Sequence, residues 1–185
     1  MPGLLVDPVC DDAAMPTNRR FSTRTVIAIG LTLVAGTAAC SSQPKQTTHT
    51  LVLTQEAPSL RPVDGGVPGT TVGDSLFYEA KIAGERGEHG LLTGYLVTAD
   101  VADPETGDLD ADRIGQLSYD LGDGNSLLAA GESVYRADNV EMTANLPQVR
   151  VVVGGTGSYI GARGQVTTTK NADGSYRHEF VLIDG

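Results

Sequence analysis

The stretch from Val151 to Gly164 reads VVVGGTGSYIGARG, and its interpretation decides the fold. A β-branched run followed by several glycines also begins the nucleotide-binding folds, in which backbone amides approach a pyrophosphate. Those folds need a helix directly after the glycines, whereas residues 165–169 read QVTTT, a β-branched run that disfavours helix. We therefore interpret the glycines as a crossing between two strands and not as a dinucleotide site.

The glycines of this stretch have the backbone freedom that such a crossing needs. We expect positive φ angles at three of them, and bends or close backbone approach at the other two. The first group is Gly154, Gly155 and Gly157, and the second is Gly161 and Gly164.

Between Thr48 and Ile183 the chain repeats short β-branched and aromatic runs, broken by Gly, Asp, Asn and Pro. Asp123-Gly124 and Asp173-Gly174 lie between pairs of runs, where Asp-Gly favours tight hairpin turns. Eight antiparallel strands can close into a barrel that holds side chains or one small ligand, but a sandwich gives nearly the same pattern. The predicted strands are Thr48–Thr54, Ser75–Ala83, Leu91–Val101, Arg113–Leu121, Ser126–Arg136, Gln148–Val153, Ile160–Lys170 and Tyr176–Ile183.

An apolar segment before these strands is typical of an exported protein. Three arginines precede the run VIAIGLTLVA at residues 26–35, and GTAAC follows at residues 36–40. The run is too short for a transmembrane helix, which needs about 20 apolar residues. We interpret residues 15–39 as a signal peptide that starts at Met15, and expect residues 1–14 to carry no function.

Cys40 decides between a tethered and a free exported protein. The sequence AAC at residues 38–40, followed by two serines, resembles the bacterial lipobox, whose cysteine is acylated after cleavage. Thr37 departs from that motif, which usually has leucine there. The first interpretation is a lipoprotein on the outer face of the cell membrane, with residues 40–47 as a flexible tether before a domain at 48–185. The alternative is a secreted protein with a free cysteine.

The composition excludes several function classes. The net charge of −10, from 23 acidic and 13 basic side chains, makes nucleic acid and anionic lipid head groups poor partners. Membrane contact is therefore expected through the lipid. Cys10 precedes the signal peptide, so no disulfide forms within the domain. The acidic loop at residues 103–112 lacks the spacing of a calcium loop, and we expect no metal.

Residues 148–183 resemble a known family. The sequence VVGGTG at 152–157, followed by Tyr159 and by ARG at 162–164, resembles the dirigent signature, and GAxGQV at 161–166 is similar to allene oxide cyclases. The resemblance implies an eight-stranded antiparallel β-barrel with an apolar cavity, and a homotrimer as in the plant proteins. It also implies cyclisation of an unstable epoxide, steering of radical coupling or polyketide cyclisation, with no cofactor.

A cyclase barrel must hold a flexible apolar substrate while a few polar groups stabilise developing charge. Arg163 matches the arginine of the dirigent signature, although it could equally form a structural ion pair at the barrel end. Strand alternation places Tyr135 and Glu132 on opposite faces, so not all candidates can line the interior. The predicted catalytic residues are Arg163, Glu132 and Tyr135, and the predicted ligand-binding residues are Tyr78, Tyr95, Tyr119 and His178.

Two functions stay open at this point. The first is an isomerase-like barrel that binds a small hydrophobic molecule and guides its cyclisation or coupling. The second is a non-catalytic envelope lipoprotein that binds or presents an apolar ligand. The catalytic carboxylate that allene oxide cyclases carry on their first strand has no counterpart in Thr48–Thr54, which argues against allene oxide cyclase activity itself.

The lipid anchor gives a first prediction. Cys40→Ala should move the protein from the membrane fraction to the medium, because the acylated atom is lost. Fractionation followed by immunoblotting measures the shift, with Ser41→Ala as the control that keeps the cysteine. A Cys40→Ala protein that stays in the membrane fraction would contradict the lipoprotein interpretation.

Overall fold

The protein forms a closed antiparallel β-barrel, seen in a computed structural model that describes residues 47–183. From the second strand onward each strand pairs with the next one along the chain, and the first strand completes the barrel by pairing with both the last strand and the third. The predictions about the signal peptide, Cys40 and the tether up to residue 46 lie outside the described residues. The strands are β1 (Thr48–Gln55), β2 (Ser59–Val63), β3 (Ser75–Gly84), β4 (His89–Thr98), β5 (Asp110–Asp120), β6 (Ser126–Arg136), β7 (Gln148–Thr156), β8 (Arg163–Lys170) and β9 (Tyr176–Ile183).

Strands β1 and β2 together occupy one of the eight positions around the barrel. Both pair with β3: Gln55 lies opposite Ile82, and Ser59 lies opposite Glu79. An advance of four residues along β1 and β2 thus matches three along β3, which places one extra residue at the junction, as in a β-bulge. Strand β2 was not predicted, because proline in its sequence SLRPV removes a ladder donor.

Alternation along the strands buries one face of the sheet inside the barrel. Fully buried apolar side chains such as Leu53, Leu117 and Phe180 fill one end of the interior. Burying each such side chain stabilises the fold by roughly 2 kcal/mol. A smaller apolar cluster occupies the other end and includes Leu76, Leu96 and other side chains. The all-β barrel is thus confirmed, and the sandwich alternative is wrong.

Turn residues behave largely as their sequence predicts. Asp123 and Gly124 both have positive φ angles, 53° and 76°, in the hairpin between β5 and β6. Gly157 also has a positive φ, at the start of a 3₁₀ turn over Gly157–Tyr159. Gly154 and Gly155 do not, so that part of the prediction is wrong: both continue the extended strand β7.

Gly164 is required for close packing between β8 and β9. Its φ is 144°, and a Cβ atom placed on it would lie 2.0 Å from the carbonyl oxygen of Val181. The predicted strand Ile160–Lys170 begins only at Arg163, because the 3₁₀ turn and the residues that follow it connect β7 to β8. Within residues 47–183, no helix has the length and apolar character to cross a membrane.

These two glycine environments predict opposite mutational effects. Gly164→Ala should lower the free energy of unfolding by about 3 kcal/mol, because the new methyl group meets backbone and the φ angle is strained. Gly154→Ala is the matched control, since its φ is not positive and its Cβ would have no atom within 4 Å. Urea unfolding measures the free energy of unfolding of both variants and of the wild-type protein. Equal stabilities of the two variants would contradict the close approach at Gly164.

Candidate functional site

A narrow cavity opens at one end of the barrel interior, and its volume is about 40 Å³. Its apolar wall is formed by Pro58, which directly precedes β2, by side chains from β2 to β5 and by the loop between β6 and β7. We call that loop, residues 137–147, the mouth loop. Its residue Met142 is buried in the smaller apolar cluster. The apolar wall consists of Pro58, Leu60, Leu76, Leu96, Leu117, Val140 and Met142.

A polar layer lies in the interior next to this wall, and His178 is its centre. The Nε2 atom of His178 lies 2.8 Å from Oε1 of Gln55, so the ring donates its proton to that oxygen. The other ring nitrogen, Nδ1, then has one lone pair free to accept a hydrogen bond, and the hydroxyl oxygens of Thr168 and Tyr119 lie 2.9 Å and 3.2 Å from it. We define the polar layer as Gln55, Tyr119, Arg150, Thr168 and His178.

The groups around His178 are uncharged apart from Arg150. Burial, together with the positive charge of Arg150, lowers the pKa of His178 to about 3, so the ring is neutral at physiological pH. Burial raises the pKa of Tyr119, whose ring packs edge-on against His178 and Phe180. Burial likewise raises the pKa of Tyr78, which lines the cavity. The tyrosines are therefore neutral hydrogen-bond donors.

Arg150 enters the polar layer from β7, where it faces inward between exposed valines. The residue is only 3% exposed, and it lines the cavity. Its Nε atom has no hydrogen-bond partner, and no carboxylate within residues 47–183 forms an ion pair with it. A buried cation usually has a partner, because burial removes its hydration.

The mouth loop is held in place by two charged groups. The guanidinium of Arg113 donates to the carbonyl oxygens of Val140 at 3.0 Å and Asn139 at 3.4 Å, and lies over the ring of Tyr135. On the loop itself, the carboxylate of Glu141 accepts from Nζ of Lys170 at 3.0 Å and from the hydroxyl of Tyr176 at 2.8 Å. Both carboxylate oxygens of Glu141 are therefore occupied.

The interior brings together four of the seven residues predicted for the site. Tyr78, Tyr135 and His178 line the cavity, and Tyr119 hydrogen-bonds to His178. Tyr95 does not join them, because it is 41% exposed on the outer face and stacks against Phe77.

Arg163 and Glu132 also lie outside. Both are exposed, at outward-facing positions of β8 and β6. Arg163 does not line the cavity, and no carboxylate within residues 47–183 forms an ion pair with it, so the geometry gives no support to either predicted role. Tyr135 faces inward and Glu132 outward, so the two residues lie on opposite faces of the sheet, as strand alternation predicts.

Sequence reasoning missed Arg150, Gln55 and Thr168. The signal for Arg150 was a charged residue at the inward position of the predicted strand Gln148–Val153, two residues before the buried Val152. Gln55 lies one residue beyond the predicted end of the first strand. Within residues 47–183, no group of three or more His, Cys, Asp or Glu side chains could hold a metal ion.

No family model matches this chain, and no curated protein matches it in sequence. Solved structures match its fold. Pyocyanin demethylase is 23% identical with a TM-score of 0.54, over 74% of this chain and 99% of that one. A nonspecific heme-binding cyclase that catalyses a [4+2] cycloaddition in neoabyssomicin biosynthesis is 18% identical with a TM-score of 0.56, over 80% of this chain and 68% of that one. A Diels–Alderase from Streptomyces koyangensis is 16% identical with a TM-score of 0.52, over 77% and 70%.

These similarities establish the class of fold. The chain is an eight-stranded antiparallel barrel that shares its fold with these solved structures, and an eight-stranded antiparallel barrel is what the motif at residues 152–164 implied. At these sequence identities the similarity extends to the fold alone, and the chemistry of this chain depends on the residues of its own cavity.

The buried neutral histidine predicts a pH dependence of stability. The pKa of His178 is about 3 in the folded protein and ordinarily about 6.5, so the unfolded chain binds an extra proton between these values. Stability should therefore fall as the pH decreases below about 6.5, by up to about 1.4 kcal/mol per pH unit. Urea unfolding at pH 7, 6 and 5 measures this slope.

Two variants test the assignment to His178. His178→Gln should remove most of the slope between pH 6.5 and 5, a range above that in which most carboxylates titrate. His89→Gln, at an exposed position, should keep it. If His178→Gln retains the slope of the wild-type protein, the histidine is not the group responsible.

Proposed function

We propose that the barrel binds one small, largely apolar molecule in its cavity and guides the cyclisation or coupling of that molecule. The observation that carries the proposal is a narrow apolar cavity beside a preorganised polar layer. Ligand sites in proteins commonly combine apolar walls with a few fixed polar groups, which set the ligand's orientation.

The geometry suits a ring closure within a bound molecule. Such a reaction rearranges bonds without adding or removing atoms, so its barrier depends strongly on holding a flexible chain in one folded conformation. Leu76, Leu96 and Leu117 give the cavity a shaped apolar wall for this purpose. Tyr78 and Tyr135 face the same space, and Tyr78 can donate a hydrogen bond where negative charge develops.

The similar structures are consistent with this proposal, because two of them are described as a cyclase and a Diels–Alderase. Both have barrels of the same class as this chain. Their identity to this chain is below 20%, so the similarity concerns the fold, and the reaction type stays part of the proposal.

The alternative function is a non-catalytic carrier at the cell envelope. The lipobox-like sequence that ends at Cys40 favours it, since a lipid anchor on the outer face of the cell membrane suits retention of an apolar ligand. The mouth loop is also consistent with retention, because Arg113, Lys170 and Tyr176 hold it over the cavity. Either function requires binding in the same cavity.

Binding of a neutral apolar probe tests the shared part of both functions. The purified protein should bind N-phenyl-1-naphthylamine with a 1:1 stoichiometry and increase its fluorescence. Leu96→Phe should weaken binding by about tenfold or more, because extra ring atoms fill a narrow cavity. Val151→Phe, on the exposed outer face, is the control and should bind as wild type. Unchanged binding by a folded Leu96→Phe would place the probe elsewhere.

Mass spectrometry of the protein isolated from its producing cells separates the two functions. A cyclase given its substrate should release an isomer with the same mass and a different retention time, whereas a protein that guides coupling should release a product of higher mass. A carrier should release the molecule unchanged. A cavity that holds no small molecule and changes none that is offered would contradict both.

A further inference from the structure

Arg150 is a buried cation without a buried anion, and it faces the cavity. Its residue is 3% exposed, its Nε atom lacks a partner, and no carboxylate within residues 47–183 pairs with it. Leaving a charge in this state is costly, because hydration is lost and no ion pair replaces it. An arrangement of this kind is expected where a ligand supplies the missing anion.

The other charged groups at the cavity cannot supply that anion. Glu141 is the one carboxylate among the described residues that line the cavity, and its two oxygens accept from Lys170 and Tyr176. Arg113 does not line this cavity, and its guanidinium donates to carbonyl oxygens of the mouth loop. The interior therefore carries an uncompensated positive charge, although the chain as a whole has a net charge of −10.

This positive charge acts on the whole polar layer. It contributes to the lowered pKa of His178, and it partly opposes the effect of burial on Tyr119 and Tyr78. Because His178 is neutral, it does not compete with Arg150 for an anion. Tyr78 lines the same cavity as a neutral phenol and can donate to an oxygen held there.

We propose that Arg150 recognises the carboxylate of the cavity's ligand, which makes that ligand a small apolar organic acid. The inference rests on the proposed function, since it assumes that the cavity binds a ligand. The guanidinium is planar and presents paired N–H groups that match a carboxylate with two parallel hydrogen bonds. The apolar body of the acid then lies along Leu76, Leu96 and Leu117.

A matched pair of probes tests the charge requirement. Calorimetric titration compares 1-naphthoate with 1-naphthamide, which has the same rings and no charge. The wild-type protein should bind the acid at least about tenfold more tightly, as expected for a charge-assisted hydrogen bond in a buried site. Arg150→Met should lose this preference and keep its affinity for the amide within about twofold.

Arg163→Met is the control for charge at a distance, since Arg163 is exposed on the outer face. It should keep the preference for the acid. Thermal unfolding without ligand adds an independent measurement: Arg150→Met should melt at the wild-type temperature or a few degrees higher, because it removes a buried unpaired charge. A sharply lowered melting temperature would mean that Arg150 has a structural partner, and would overturn the proposal.

The outcomes distinguish a failure of the role proposed for Arg150 from a failure of ligand binding by the cavity. If the wild-type protein binds both probes equally, the role of Arg150 is wrong while ligand binding by the cavity stands. If Arg150→Met keeps the preference for 1-naphthoate, the carboxylate is recognised elsewhere and the proposal is again wrong. If neither probe binds to the wild-type protein, both this inference and cavity binding of small aromatic molecules are contradicted.

Discussion

Closure of the sheet through the pairing of β1 with β3 is the constraint on which the rest of the structure depends. It satisfies backbone groups that an open sheet would expose, and it directs alternate side chains of every strand toward one axis. Residues far apart in the chain therefore meet across the interior. Tyr119 on β5 and His178 on β9 are 59 positions apart and form a buried hydrogen bond. The cavity and the polar layer exist because the barrel is closed.

The barrel interior has to pack apolar side chains and also satisfy the hydrogen bonds of buried polar groups. Apolar side chains at one end provide packing, while the polar layer must have its hydrogen bonds satisfied without water. His178 meets this requirement by remaining neutral and using both ring nitrogens. Arg150 does not meet it within the described residues, which is why it points to a ligand. The contrast separates a group that completes the fold from one that is available for binding.

The glycine motif and the cavity have different roles. Gly157 and Gly164 shape the crossing from β7 to β8 and its packing, and Arg163 beside them faces solvent. A resemblance at this motif thus identifies the barrel without locating its site. The polar layer instead comes from inward positions on β1, β5, β7, β8 and β9. The chemistry of the cavity can therefore differ between barrels that share the motif.

Period-two patterns and turn residues act locally, so the sequence could predict eight of the nine strands and the Asp-Gly hairpin at residues 123–124. It could also exclude a nucleotide-binding fold. The residue pattern alone could not distinguish a barrel from a sandwich, since both folds bury the same alternating faces. The residues of the site could be predicted only in part, because a strand pattern defines two faces but does not show which of them lies inside the barrel. Tyr95 and Tyr78 both lie in predicted strands, yet only Tyr78 faces the cavity. Tertiary closure decided that assignment, and it alone placed Arg150 beside His178 without a carboxylate partner among the described residues.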